Sequence, residues 1–123
     1  MAVELFETTV IAYQDIMKRV QDRQPVMLKA ATTFTTGDLV TTGATQSGGY
    51  YVADLVAATG AIGERCYVYI GETKLTGATP EADVVYTGEF NLDKIRFTGA
   101  NTAINIQGIL KANDIILEKW GTA

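Results

Sequence analysis

Acid–base and nucleophilic chemistry require particular side chains, and this sequence holds few of them. Its 123 residues include no histidine, one cysteine (Cys66) and one serine (Ser47). Without an imidazole there is no Ser-His-Asp or Cys-His arrangement and no His-based zinc site. Carboxylates remain. Glu72 and Glu89 end two expected strands and, were those strands neighbours, could face each other as a glycosidase-type acid and base. The simpler reading is a pair of solvated strand-end charges, because nothing in the flanking loops suggests a sugar cleft. Asp38, Asp54 and Asp83 each sit beside a turn, where an Asp side chain commonly bonds backbone. A calcium site would need a denser set of oxygens. Cys66 falls on the expected inward face of a strand with no cation in view, the setting of a buried structural thiol. Gly43, Gly48 and Gly49 match neither G-x-G-x-x-G nor G-x-x-x-x-G-K-[ST], so they read as loop residues. The expectation is a non-enzyme with no catalytic residue, metal or cofactor.

Composition narrows the class further. Hydrophobic residues at 47% and charged residues at 20% exclude a disordered chain. A net charge of −4, with no Lys or Arg between Lys29 and Arg65, argues against a nucleic-acid partner. One cysteine cannot form an internal disulfide. The opening MAVELFETTV lacks a basic stretch followed by an apolar run, so no signal peptide is expected. No segment approaches the roughly 18 to 20 apolar residues that span a bilayer, so no membrane partner is expected.

Two regions have to position whatever this chain recognises. Residues 1–24 read as an N-terminal arm. Val3, Phe6, Val10, Tyr13, Met17 and Val20 follow the 3-4-3-4-3 spacing of an amphipathic helix. Glu4 and Glu7 near its start, with Lys18, Arg19 and Arg23 near its end, suit the helix dipole. Gln24-Pro25 ends it. The β-branched run from Thr8 to Ile11 weakens the helix, so an extended arm that pairs with another chain is the competing conformation. In either form Phe6, Val10, Tyr13, Met17 and Val20 are the expected partner contacts.

Residues 25–123 read as a β-rich domain. Strands are expected at Asp38 to Thr42, Tyr50 to Ala53, Arg65 to Gly71 and Asp83 to Phe90, with Gly43 to Gly49 as a loop. On the third of these, Cys66, Val68 and Ile70 share one face and Tyr67 and Tyr69 the other. Asn101 could cap a short helix carrying Ile104, Ile106, Ile109 and Leu110, with Asn113 as its left-handed stop. Asp114 to Trp120 would close the domain as a strand. The fold class is therefore mainly β with one or two short helices, a compact barrel-like domain behind an arm. Six tyrosines stand beside seventeen threonines. Both types favour strands, yet tyrosine also supplies contact area at low entropy cost. Tyr50, Tyr67 and Tyr69 are the expected interface aromatics.

One series of segments is similar to a known family. It runs from Gly49-Tyr50-Tyr51-Val52 through Ala57-Ala58-Thr59-Gly60-Ala61 and the strand Tyr67 to Glu72. It continues with Asp83-Val84-Val85-Tyr86-Thr87-Gly88-Glu89-Phe90-Asn91 and closes with Gly108-Ile109-Leu110 to Leu117. Over residues 34–119 this resembles the lambda-type head decoration (capsid cement) proteins of tailed bacteriophages. The resemblance implies a β-tulip domain that trimerises at threefold positions on the outer capsid surface, with an arm reaching the major capsid protein. It implies a structural virion protein made in the bacterial host cytoplasm. Gly88, Glu89, Phe90 and Asn91 become a structural corner or interface, with Gly88 allowing a bend that a Cβ would hinder. Family arms are often extended and rich in Pro, Gly and Thr, whereas residues 3–20 here carry helical spacing. The rival readings are another small virion subunit (tail tube or head–tail connector) and a small β-barrel ligand-binding module.

Overall fold

The computed structural model describes residues 16–56, 65–97 and 103–119, and gives no side-chain detail for residues 103–105. Among these residues eight strands run in chain order: β1 (Met17–Leu28), β2 (Thr33–Phe34), β3 (Leu39–Ser47), β4 (Tyr50–Leu55), β5 (Arg65–Val68), β6 (Lys74–Leu75), β7 (Glu81–Asn91) and β8 (Ile115–Glu118). A 3-10 turn (Leu92–Lys94) follows β7, and one helix, α1 (Ala103–Ala112), precedes β8. The main sheet has the order β1-β4-β3-β5-β7-β8, and β1 also pairs with β7. That pairing closes five strands into a barrel, with β8 attached outside it. The expected mainly-β, barrel-like class is the observed one.

The arm is where sequence and structure part. Phe6, Val10 and Tyr13 lie outside the described residues. Met17 and Val20, assigned to a helix by spacing, begin β1, which pairs with β7 from Met17↔Phe90 to Leu28↔Glu81. The boundary at residue 24 thus falls inside a strand. Long cross-strand pairing overrides local periodicity here, as tertiary context commonly does. Pro25 does not end the element because β1 pairs with β4 only at Met27 and Leu28. Upstream, one edge of β1 is unpaired among the described residues, and a residue lacking an N–H is tolerated there.

The other differences are smaller. The expected loop from Gly43 to Gly49 is mostly strand, with β3 running to Ser47 before a two-residue turn. Gly48 (φ 59°) and Gly49 (φ 86°) both take the left-handed conformation that such a hairpin turn demands. The left-handed residue after α1 is Asp114 (φ 63°), not Asn113. Asn113 instead uses its side chain: Oδ1 accepts the Cys66 N–H at 3.0 Å, and Nδ2 donates to Ile109 O at 3.0 Å.

Strand alternation sorts the apolar residues into two cores. Val26 and Leu28, Val40, Ala53, Tyr67, Tyr69 and Val85 point into the barrel and meet Phe34. Met17, Leu39, Cys66, Val68, Tyr86, Phe90 and Ile115 point outward and are covered by Ile106 and Leu110 of α1. Both faces of β5 are therefore buried.

The close approach of β1 to β7 rests on a missing side chain. Gly88 has φ 143°, and a Cβ at this position would lie 2.0 Å from Arg19 O and 2.9 Å from Gln21 N. β1 is bulged on both sides of this contact, with register shifts between Met17 and Arg19 and between Val20 and Asp22. Gly88→Ala is accordingly expected to cost about 3 kcal/mol or more, or to prevent folding. A Cβ at Gly108 in α1 would meet no atom within 4 Å, so Gly108→Ala should stabilise by about 0.5 to 1 kcal/mol. Urea titration of both variants checks the pair.

Candidate functional site

The four residues of the expected corner are brought together, but as a clamp. Gly88 pairs with Val20 of β1 and Ile115 of β8. Glu89 pairs in register with Arg19, and their side chains meet at 3.5 Å. Phe90 is fully buried. Asn91 N–H donates to Ile16 O at 2.8 Å, and its Oδ1 accepts the Asp93 N–H at 3.1 Å, which caps the 3-10 turn. Glu89 is the one corner side chain that is partly exposed, at 21%. The corner holds three strands together.

The expected interface aromatics divide. Tyr50 is exposed, as is its neighbour Tyr51, whereas Tyr67 and Tyr69 are buried in the barrel. Tyr67 and Tyr69 do share one face of β5 and its extension, but that face is the barrel interior, because closure gives β5 no solvent face. Of the described arm residues, Met17 is a core residue and Val20 is exposed at 47%. Met17 is therefore not available to a partner.

The acid–base candidates are dispersed. β5 and β7 are antiparallel and pair at Val68↔Tyr86, so Glu72 and Glu89, each downstream of that point, lie towards opposite ends of the barrel. The turn aspartates do bond backbone: Asp38 Oδ2 accepts the Thr35 N–H at 2.7 Å, and Asp54 and Asp83 each accept the next residue's N–H at 2.8 Å. Each also pairs with a cation, Arg96 at 3.0 Å, Lys29 at 3.2 Å and Lys74 at 2.8 Å respectively. Among the described residues no three His, Cys, Asp or Glu lie close enough to hold a metal ion. No described helix is long and apolar enough to cross a membrane. Cys66 is free and buried, and burial pushes its thiol up to about 12. A thiol held protonated is a poor nucleophile.

Several concave surfaces remain, including one of about 610 Å³ along β3 and β4; two others differ sharply in chemistry, and sequence reading found neither. The first is an apolar groove of about 330 Å³ on the outer flank, between α1 and β8, lined by Leu92, Leu110, Ile115, Ile116 and Leu117 among others. Ile109 and Ile116 are exposed at 41% and 42%. Among the described residues β8 pairs on one edge only, with β7. The second is a polar cup of about 360 Å³ at one end of the barrel, where Asp22, Gln24, Thr42, Tyr51, Arg65 and Tyr67 converge. The i, i+2 series Asp22, Gln24, Val26, Leu28 was the available signal, since one strand face that turns from polar to apolar marks the mouth of a barrel. Helical spacing in the preceding residues obscured it.

These features define a small closed barrel with a flank groove and a polar mouth, bearing no assembled catalytic group among the described residues. No protein-family model matches the chain, and comparison with curated proteins and with solved structures found no match.

Burial makes the fold sensitive to alkali. The Cys66 thiol and the Tyr69 phenol rise from 9.0 and 10.0 to about 12, chiefly through desolvation, and Tyr67 rises for the same reason. Between those limits the folded chain keeps protons that the unfolded chain releases, so stability is complete below pH 9 and drains as pH climbs towards 12. Denaturation midpoints should be unaffected by these groups up to pH 9 and then fall. Cys66→Ala should delay the onset to about pH 10, where the tyrosines take over.

Proposed function

We propose that this chain is a non-enzymatic capsid decoration (cement) protein. In this reading it trimerises on the outer surface of an expanded phage head, binds the major capsid protein and stabilises the shell. The observation that carries the reading is the α1–β8 flank, an apolar groove beside a strand edge with no partner among the described residues. A long-lived monomer would cover such an edge, because it templates pairing with other chains. A shell subunit can instead receive a strand or an amphipathic segment there. Ile16, the first described residue, lies next to this flank, since its carbonyl accepts the Asn91 N–H and Leu92 lines the groove.

The remaining argument is one of linkage. Three subunits joined as a trimer engage three equivalent capsid sites, and effective concentration then multiplies weak contacts without adding new ones. A protein that binds only the expanded lattice stabilises that lattice by mass action.

The test is co-sedimentation of the purified protein with expanded heads and with precursor shells. Binding to the first and not the second is expected, together with a trimeric mass in solution or on the shell. A ring of six or twelve would favour the tail-tube or connector reading. Ile109→Lys with Ile116→Lys should leave unfolding cooperative and weaken capsid binding about tenfold or more, given roughly 1.5 to 3 kcal/mol per apolar side chain buried. Deleting residues 2–15 should preserve the fold and abolish binding. A longer deletion would cut β1 and test only folding.

A further inference from the structure

The two ends of the barrel are finished differently. β1, β4 and β5 start at one end, and β3 and β7 finish there. The opposite end is plugged by Phe34 and Tyr69, whose rings meet with centroids 5.8 Å apart. Among the described residues the first end is not plugged in this way. There the inward-facing residues change from Val26, Val40 and Val85 to Gln24, Thr42, Asp22 and Arg65. Burial of apolar side chains explains the plug, but nothing in folding requires a polar mouth that converges on a cavity.

We propose that this mouth is a binding site for a small, neutral, hydroxyl-rich ligand, a single sugar ring or a similar polyol. The site lies on the barrel axis, apart from the flank groove, and the inference does not rest on the decoration reading. Three observations carry it. The cup is polar and about 360 Å³, the low end of ligand-site volumes and suited to one ring. Its formal charges cancel: Asp22 and Arg65 both act on the Tyr67 hydroxyl, the carboxylate raising its pKa and the guanidinium lowering it. An anion would meet the carboxylate and a cation the guanidinium, so neither is favoured.

The hydrogen-bonding character is mixed in the same way. Asp22 Oδ1 accepts the Arg23 N–H at 2.9 Å, which leaves Oδ2 for a ligand. Arg65 donates only, while Gln24, Thr42 and Tyr67 can both donate and accept. Ligand hydroxyls, each a donor and an acceptor, match that set, and the exposed ring of Tyr51 supplies an apolar wall.

The third observation is Thr87. It is 5% exposed, and its Oγ1 has no hydrogen-bond partner. It stands opposite Asp22 in the β1–β7 ladder, two residues beyond the inward-facing Val85, and so faces the barrel interior behind the mouth. Thr87 does not itself line the cup; buried hydroxyls are almost always satisfied, and a water held between Thr87 and the ligand would satisfy this one.

The experiment is an amide-shift NMR titration of the full-length protein through the millimolar range with glucose, galactose and N-acetylglucosamine. Acetate, inorganic phosphate and glycine are titrated in parallel. At least one sugar is expected to give saturable shifts confined to the strands around Asp22, Thr42, Tyr51, Arg65 and Tyr67. Asp22→Asn and Tyr51→Ala alter exposed residues, so the fold should persist while affinity drops about tenfold. Thr87→Val should raise the melting temperature and weaken the same sugar. Absence of saturable shifts with all three sugars overturns the proposal. So would stronger binding of acetate, phosphate or glycine, or sugar affinity unchanged in Tyr51→Ala.

Discussion

Everything in this molecule depends on the pairing of β1 with β7. It is the longest ladder in the sheet, running from Met17↔Phe90 to Leu28↔Glu81, and it converts an open sheet into a closed barrel. The pairing is possible at its tightest point because position 88 has no Cβ to meet Arg19 O. A fully laddered barrel has no free edge among its own strands. Among the described strands, edges remain along β1 upstream of Met27 and at β8, which is attached outside the ring.

Closure also explains which sequence signals could be read. The strands centred on residues 40, 52, 67 and 86 were visible because Val, Tyr and Thr alternate there between turn-forming glycines. The helix from Ala103 was visible through Ile106, Ile109 and Leu110. What alternation alone does not say is whether the second face of a strand is wet. Tyr67 and Tyr69 carry hydroxyls, and a tyrosine face on an open sheet would be a reasonable contact surface. Only the ring closure, set by residues twenty positions away in sequence and more, puts that face inside. The same long-range pairing decided the fate of residues 17–24, where a helical rhythm of apolar residues met a partner strand that could use them. The corner at Gly88–Asn91 was recognisable as special, but its role as a clamp follows from what lies on either side of it, and β1 and β8 are remote in sequence.

The ion pairs fit this picture as register markers. Lys18–Glu118 at 3.7 Å and Arg19–Glu89 at 3.5 Å lie along the three strands β1, β7 and β8, and their cations are well exposed. Exposed pairs of this kind contribute about 0 to 1 kcal/mol, far less than the burial of Met17 and Phe90 next to them. Their value is in opposing a slip: shifting β1 by one residue would turn Met17 away from the core beneath α1 and move Arg19 away from Glu89 at once.

A closed ring with one attached strand separates the surface into regions of different chemistry. The flank under α1 and β8 is apolar and ends in a strand edge that is unpaired among the described residues, a surface chemistry suited to another polypeptide. The polar end of the barrel is charge-balanced, and it is bounded by side chains from β1, β3, β4 and β5, whose spacing the ring holds fixed. A change on the flank acts through exposed side chains of α1 and β8, which take no part in the ring. A change at the mouth acts through residues whose backbones are in the ring but whose side chains, Tyr67 aside, are not in either core. The two surfaces can therefore be altered one at a time without opening the barrel, which is the physical condition for one small domain to carry two independent contacts.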